Sequence, residues 1–189
     1  MRVIAGLYKG RTLTTVNDLS VRPATDRVKQ TLFDVLSTRL DLEGASVLDL
    51  FAGSGSLGIE ALSRGAARVV FVENNRHAVE HIVQNARKLG CEDAIDVDIA
   101  DSMDYLESAR KTYDLIFADP PYDFDATGSI PEIVFRASLL ARHGYLLIEH
   151  TRNLHFEDTA TYTTGPVKKF GRTLVTFFHH PSPSNGERQ

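Results

Sequence analysis

A glycine-rich segment follows a short apolar run in the first third of the chain, and its residue types suit a nucleotide-like ligand. Gly53, Gly55 and Gly58 have the GxGxxG spacing that joins a strand to a helix. Glu73 ends the next apolar run, where a carboxylate can accept hydrogen bonds from both ribose hydroxyls. The pattern therefore predicts a site for an adenosine-containing cofactor.

Asp49, shortly before the glycines, bears on which adenosine cofactor this is. A dinucleotide places a pyrophosphate against such a loop, and a carboxylate near those negative charges is unfavourable. S-adenosylmethionine instead carries an ammonium and a sulfonium, which suit the Asp49 carboxylate. Asp101, after a later apolar run, stands where it could accept a hydrogen bond from the adenine amino group. We therefore expect S-adenosylmethionine, with S-adenosylhomocysteine as its product, rather than NAD.

The tetrapeptide Asp119-Pro120-Pro121-Tyr122 ends another apolar run. Two prolines cannot continue a central strand, so the chain must leave the sheet at its carboxyl edge, where α/β sheets bind ligands. The Asp119 carboxylate and a carbonyl of the rigid Pro-Pro unit could hold both hydrogens of an exocyclic aromatic amine. Its lone pair would then point at a methyl group, while Tyr122 supplies a flat face for base stacking. The tetrapeptide predicts methyl transfer to a nucleobase amine.

Short apolar runs alternate with helical patterns from residue 45 onward, which predicts a mostly parallel sheet with crossover helices. The five predicted strands are 46–51, 68–72, 94–98, 113–118 and 145–149. Two further β-rich segments meet at 170–172, which leaves room only for an antiparallel hairpin. A helix is expected from Ala78 to a C-terminal cap at Gly90.

The first 44 residues have their own pattern. Segments 2–5 and 11–14 predict a small β-element, and 26–39 a helix. The apolar face of that helix is predicted to consist of Val28, Leu32, Val35 and Leu36.

The chain has a net charge of −4, but basic residues are concentrated near its start. Within residues 1–40 they outnumber the acidic ones, which predicts a segment that faces a polyanion; they are Arg2, Lys9, Arg11, Arg22, Arg27, Lys29 and Arg39. No apolar run is long enough for a membrane span, and no secretory signal pattern is visible. The single cysteine, Cys91, fits a reducing compartment. We therefore expect a cytoplasmic protein with no membrane partner.

Together, the glycine-rich segment and the Asp-Pro-Pro-Tyr tetrapeptide resemble class I S-adenosylmethionine-dependent methyltransferases. The segments 2–11, 22–33, 49–66 and 119–122 further resemble the RsmD family, whose members methylate N2 of a guanine in small-subunit (16S) ribosomal RNA. The resemblance implies an α/β, Rossmann-like class I methyltransferase fold. That fold has a seven-stranded, mostly parallel sheet, a C-terminal antiparallel hairpin and a small N-terminal β/helix extension.

The resemblance also implies a role for each matching residue. Cofactor binding is implied for Asp49, Ala52, Gly53, Gly55, Glu73, Asp101 and Ser102. The implied catalytic residues are Asp119, Pro120 and Tyr122, and the implied RNA contacts are Lys9, Arg11, Arg22, Thr25, Asp26 and Arg27. Residues 1–44 would form a basic, RNA-facing extension, 45–180 the methyltransferase domain and 181–189 a disordered tail. The implied partner is ribosomal RNA in the assembling small subunit, bound by a monomer.

Other functions stay open on the sequence alone. The same tetrapeptide suits methylation of adenine N6 in DNA or RNA, and of a glutamine amide in a protein. An NAD-dependent oxidoreductase is opposed by Asp49 and the tetrapeptide, and a non-catalytic RNA-binding module would not bind S-adenosylmethionine. The pattern His77-x-x-Glu80-His81 matches a metallopeptidase motif, but these side chains lie on the polar face of a predicted helix, so we expect no metal site.

Overall fold

A computed structural model describes residues 1–15 and 26–182 of the chain. The strands are β1 (Ser46–Leu50), β2 (Arg68–Val72), β3 (Ile95–Asp98), β4 (Tyr113–Ala118), β5 (Leu140–Thr151), β6 (Thr163–Phe170) and β7 (Thr173–His179). The α-helices are α1 (Asp26–Leu36), α2 (Ser56–Ser63), α3 (Arg76–Leu89), α4 (Ser102–Ser108) and α5 (Ile130–Arg136). Short 3₁₀ turns span Glu92–Ala94 and Asp125–Ser129.

The seven strands of the described residues belong to one sheet, in the order β3-β2-β1-β4-β5-β7-β6. Strands β1 to β5 run parallel, whereas β7 lies antiparallel between β5 and β6. The predicted class I methyltransferase topology, with its C-terminal hairpin, is therefore confirmed. The strand order reverses between β1 and β4, and ligands of open α/β sheets bind at the carboxyl ends of strands beside such a switch point.

Two apolar layers cover the two faces of the sheet, because alternate residues of each strand point to opposite sides. Val47 belongs to one layer, with Phe71 of β2 and Phe33 of α1. Leu48 belongs to the other, with Val134 of α5. Both faces of β1 are thus buried, which fixes the strand end that carries the glycine-rich loop.

The helix α1 is shorter than the predicted helix 26–39, because residues 37–39 form a turn. Its apolar face is also displaced from the predicted one. The buried residues are Lys29, Leu32, Phe33 and Leu36, whereas Val28 and Val35 are only partly buried. The physical reason is that Lys29 points inward to the buried Glu60 of α2, with 3.8 Å between Nζ and Oε2. By contrast, α3 ends at Gly90 (φ 72°), as predicted.

The predicted N-terminal β-element is reduced to one antiparallel bridge between Arg2 and Thr12. Val3 and Leu13 are buried in the same apolar layer as α1 and α2, so the described part of this extension shares its core with the sheet. The tail prediction concerns 181–189, of which 183–189 lie outside the described residues. No helix within the described ranges has the length and apolar character needed to cross a membrane.

Candidate active site

The glycine-rich loop turns sharply at the end of β1. Gly53 (φ 55°) and Gly55 (φ 77°) both adopt the left-handed conformation that glycine tolerates best. Gly58 has a different role, because a Cβ there would lie 2.4 Å from the Phe71 ring. The third glycine thus lets α2 pack closely on β2, while the first two shape the ligand-facing turn.

Asp49 lies beneath this loop with only 2% of its surface exposed. Its Oδ2 accepts a hydrogen bond from the Gly58 amide at 2.9 Å, which ties β1 to the start of α2. Burial raises the pKa of Asp49 to about 8; the Gly58 hydrogen bond opposes this rise and the Glu73 charge adds to it. The predicted cofactor carboxylate is therefore also a structural support of the loop.

Glu73 follows β2 and contacts the same loop. Its Oε2 accepts from the Gly53 amide and its Oε1 from the Asn75 amide, both at 2.8 Å. Each carboxylate oxygen can accept more than one hydrogen bond, so these bonds leave capacity for ribose hydroxyls. The cofactor role of Glu73 stays a prediction, and the structure adds that Glu73 holds the glycine turn.

The remaining predicted cofactor residues surround this turn. The Ala52 amide donates to the Val72 carbonyl at 3.1 Å, and the buried Ser102 hydroxyl accepts from the Phe51 amide at 3.3 Å. Asp101 is exposed and caps α4, because its Oδ1 accepts from the Met103 and Asp104 amides. Its second oxygen is not used in the cap, so the predicted contact with adenine stays a prediction.

Four neighbouring strands each have a carboxyl side chain at or near their carboxyl end: Glu73 after β2, Asp49 on β1, Asp119 after β4 and Glu149 on β5. Their strands are consecutive in the sheet, and the switch point lies between Asp49 and Asp119. Neighbouring strands are about 4.8 Å apart, so the row spans roughly 15 Å. We call these four residues the carboxyl row.

Electrostatics within the carboxyl row favour a cationic ligand. Burial raises the pKa of Asp119 well above its usual range, and the charges of Glu149 and Asp49 add to this rise. Asp49, with its pKa near 8, therefore favours its protonated form near neutral pH, and the pKa of Asp119 is shifted in the same direction. A cation bound beside them would favour the ionised forms. This donor set fits the ammonium and sulfonium of S-adenosylmethionine and opposes a pyrophosphate.

The tetrapeptide leaves the sheet as predicted. The Phe124 amide donates to the Pro121 carbonyl at 3.0 Å and closes a turn after the two prolines. Pro120 is buried, Asp119 is partly buried, and Tyr122 has 56% of its surface exposed. A cavity of about 300 Å³ lies between this turn and the β5 segment that contains Glu149.

Sequence reasoning missed two residues of this edge. Glu149 ends the predicted strand 145–149, and Glu73 likewise ends an apolar run. This shared position could have identified Glu149 as a candidate site residue. The sequence pattern predicts Phe51 as the last residue of a strand, but β1 ends at Leu50 and Phe51 adopts a left-handed conformation (φ 57°) that is uncommon outside glycine. Its ring meets Phe124 edge-on at 5.1 Å and joins the glycine loop to the tetrapeptide turn.

The structure describes four of the six predicted RNA contacts. Lys9, Arg11 and Arg27 are exposed, whereas Asp26 is partly buried and pairs with Arg2 at 2.8 Å. Two more of them, Arg22 and Thr25, lie outside the described residues. Lys29, which was counted with the basic surface, is fully buried, so that part of the charge prediction is wrong.

The N-terminal extension is fastened to the catalytic core by buried polar side chains. Glu60 accepts hydrogen bonds from the Ile4 and Ala5 amides at 2.7 and 3.1 Å. Asn85 of α3 exchanges hydrogen bonds with the Thr14 backbone and also donates to the Ser54 carbonyl at 3.1 Å. Residue 14 is thereby held beside the glycine loop.

The helix α3 carries the metallopeptidase-like pattern on its outer side. His77 and Glu80 are highly exposed, and 3.4 Å separates the His77 Nδ1 from the Glu80 Oε2. In the part of the chain that the structure describes, no group of three or more His, Cys, Asp or Glu side chains is arranged to hold a metal ion.

Two larger cavities lie away from these motifs. One of about 410 Å³ is lined by Arg39, Arg142, His143 and His179, at the opposite end of the central strands. Another of about 570 Å³ lies between α1 and Arg64. Neither contains a residue of the carboxyl row.

Comparison with known proteins agrees with this geometry. The family described as "Conserved hypothetical protein 95" matches residues 1–179. The chain is 35% identical to the ribosomal RNA small subunit methyltransferase D of Haemophilus influenzae, over 79% of this chain and 78% of that protein. The Escherichia coli K12 protein of the same name is also 35% identical, over 79% and 71%. Among solved structures, the Escherichia coli protein yhhF aligns with a TM-score of 0.83 and 28% identity, over 95% of this chain and 97% of that one.

Proposed function

The chain belongs to the RsmD family of S-adenosylmethionine-dependent methyltransferases, and from this membership we propose that it methylates the exocyclic N2 amine of a guanine in small-subunit ribosomal RNA. Methyl transfer to ribosomal RNA is the activity that the family carries. The proposal adds three specifics: the methylated base is a guanine, the methylated atom is N2, and the substrate is the assembling small subunit.

The observation that carries the proposal is the meeting of two loops at the switch point. The Phe51–Phe124 ring contact joins the glycine loop to the tetrapeptide turn, and Asp49 is close enough to Asp119 to raise its pKa. A methyl donor held by the glycine loop would therefore lie next to an amine held by Asp119. Such proximity is the main requirement of a direct displacement, since well-oriented reactants can gain several kcal/mol.

S-adenosylmethionine supplies an electrophilic methyl group on a sulfonium when it is bound. Asp49 and Glu73 hold the loop that receives it, through the Gly58 and Gly53 amides. Their carboxylates balance its positive charges, and Asp101 stands at the next strand end for the adenine. These contacts orient the methyl donor. The residues around Asp119 orient the amine that attacks it.

Asp119 acts mainly as a hydrogen-bond acceptor in this proposal. The lone pair of an aromatic amine is delocalised into the ring, so the amine must be held with that lone pair free to attack. Asp119 and a Pro-Pro carbonyl accept from its two hydrogens, and Tyr122 stacks on the base. After transfer the amine releases one proton, which Asp119 is placed to receive because burial already favours its protonated form.

The basic residues of the extension provide the RNA contacts in this proposal. Lys9, Arg11 and Arg27 are exposed, and Arg22 and Thr25 belong to the same predicted set. Asp26 orients Arg2 through their ion pair. Because Asn85 fastens Thr14 to the glycine loop, RNA phosphates bound by this segment would lie within reach of the site.

A labelling experiment tests the proposal. The protein is incubated with methyl-labelled S-adenosylmethionine and small ribosomal subunits that lack the modification, and the RNA is digested to nucleosides. We expect label in N2-methylguanosine, and labelling that is slower by roughly 10²-fold or more when Asp119→Ala replaces the wild type. Label in N6-methyladenosine would instead establish the adenine alternative, and label in protein would refute an RNA substrate.

A further inference from the structure

Glu149 is the one member of the carboxyl row that has no role in the proposed reaction. It lies on β5, next to β4, and Asp119 directly follows β4. The β4–β5 register pairs Ala118 with Ile148, so Asp119 and Glu149 are the next neighbours across the two strands. Residues in such positions lie on the same side of a sheet, with side chains close enough to share a ligand.

The cavity beside the tetrapeptide brings Glu149 to the acceptor side of the site. Its lining includes Pro120, Tyr122 and Glu149, so the ring proposed to stack on the base and the Glu149 side chain border one space. The charge of Glu149 also raises the pKa of Asp119, which agrees with a short separation. Glu149 therefore lies on the tetrapeptide side of the carboxyl row.

We propose that Glu149 determines base specificity by accepting a hydrogen bond from guanine N1–H while Asp119 accepts from the N2 amine. This inference rests on the proposed function and deepens it. Guanine carries N1–H and the N2 amine side by side on its Watson–Crick edge. Two neighbouring carboxylates match those two donors, and a base extruded into a pocket is commonly recognised by this edge.

Adenine presents a different edge. Its N6 amine could reach Asp119, but the adjacent N1 is an acceptor whose lone pair would face the Glu149 carboxylate. Two acceptors that face each other repel, and the adenine N1 would be left without a hydrogen-bond donor in a partly buried site, which is costly. The pair of carboxylates thus selects guanine against adenine, whereas the tetrapeptide alone suits either amine.

The purine analogue 2-aminopurine separates this role from general catalysis. It keeps the N2 amine of guanine but has an N1 acceptor in place of N1–H. Labelling first identifies the modified guanine, and small-subunit RNA is then prepared with guanine or 2-aminopurine at that position. Single-turnover transfer is measured for the wild type, Glu149→Gln and the control Glu157→Gln, whose side chain is exposed in the loop after β5.

We expect the wild type and the control to methylate 2-aminopurine at least about tenfold more slowly than guanine. Glu149→Gln can turn its amide to donate to the N1 acceptor, so the preference for guanine should narrow by about tenfold or more. A wild type equally fast on both bases would overturn the inference. So would an unchanged ratio in Glu149→Gln, whether or not both rates fall. Absence of any label at guanine N2 would refute the proposed function itself, which is a separate result.

Discussion

Two buried acidic regions of this protein differ in how their charge is balanced. Glu60 of α2 is fully buried, but Arg64 lies 2.8 Å away, Lys29 lies 3.8 Å away and two backbone amides donate to it. Asp49 and Asp119 instead have other carboxyls as their charged neighbours; burial raises their pKa values and those neighbouring charges add to the rise. The first arrangement serves the fold, because the chain supplies the counter-charges. The second leaves a cationic ligand to supply them.

Disrupting the Glu60 region, whose charge is balanced by Lys29 and Arg64, should have the largest effect, and this effect is on stability. Glu60→Ala removes the acceptor of the Ile4 and Ala5 amides and leaves Lys29 buried without its carboxylate. We expect a loss of about 3–5 kcal/mol in the free energy of unfolding, measured by urea denaturation. The exposed Glu107→Ala on α4 is the control and should change this energy by less than about 0.5 kcal/mol. A Glu60→Ala protein as stable as the control would mean that the hydrogen bonds and ion pairs of Glu60 do not stabilise the fold.

Substitution in the second region, which contains Asp49 and Asp119, should affect the reaction instead of the fold. Asp119→Ala removes the acceptor that orients the amine, and we expect single-turnover methyl transfer to fall by roughly 10²-fold or more. Stability should stay the same or increase, since a buried carboxyl with acidic neighbours is removed. Asp119→Asn keeps an acceptor oxygen and should retain more activity than the alanine variant. A fully active Asp119→Ala enzyme would contradict the assigned role.

The cofactor end of the carboxyl row allows a finer comparison. Glu73→Ala removes the acceptor of the Gly53 amide and the proposed ribose contact, so S-adenosylhomocysteine should bind about 1–3 kcal/mol more weakly. Glu80→Ala, an exposed position on α3, is the matched control and should leave the affinity unchanged. Calorimetric titration of both variants measures the difference. Equal affinities would remove Glu73 from the cofactor site.

The smallest expected effect concerns the basic extension. Neutral residues at Lys9, Arg11, Arg22 and Arg27 should lower the salt dependence of RNA binding, because each lost phosphate contact removes about 0.7–0.9 from the slope of log K against log salt. Affinity for S-adenosylhomocysteine should not change. Neutral residues at Arg87, Arg110, Lys111 and Arg136, which are exposed elsewhere, serve as the control. An unchanged slope in the first variant would show that the extension is ordinary solvated surface.

Features encoded by local patterns were predictable from the sequence. The parallel strands follow from apolar runs bounded by turn residues, and the C-terminal hairpin follows from the close spacing of its two β-rich segments. Pairings between distant elements were not predictable in this way. In the sequence, Lys29 has the character of a surface charge. Its burial depends on an ion pair with Glu60, which is on another helix. Glu149 acquires its role only through the β4–β5 register, and Phe51 leaves the strand because the glycine loop must turn toward Phe124.

The most direct test of the central claim is calorimetric titration of the wild type with S-adenosylmethionine, S-adenosylhomocysteine and NAD. We expect both methyl-cycle ligands to bind and NAD not to bind, because the carboxyl row attracts cations and repels a pyrophosphate. Affinity for S-adenosylmethionine should increase between pH 6 and pH 8, since burial raises the pKa of Asp49 to about 8 and a bound cation displaces that proton. NAD binding comparable to that of S-adenosylmethionine, or no binding of either methyl-cycle ligand, would contradict the account.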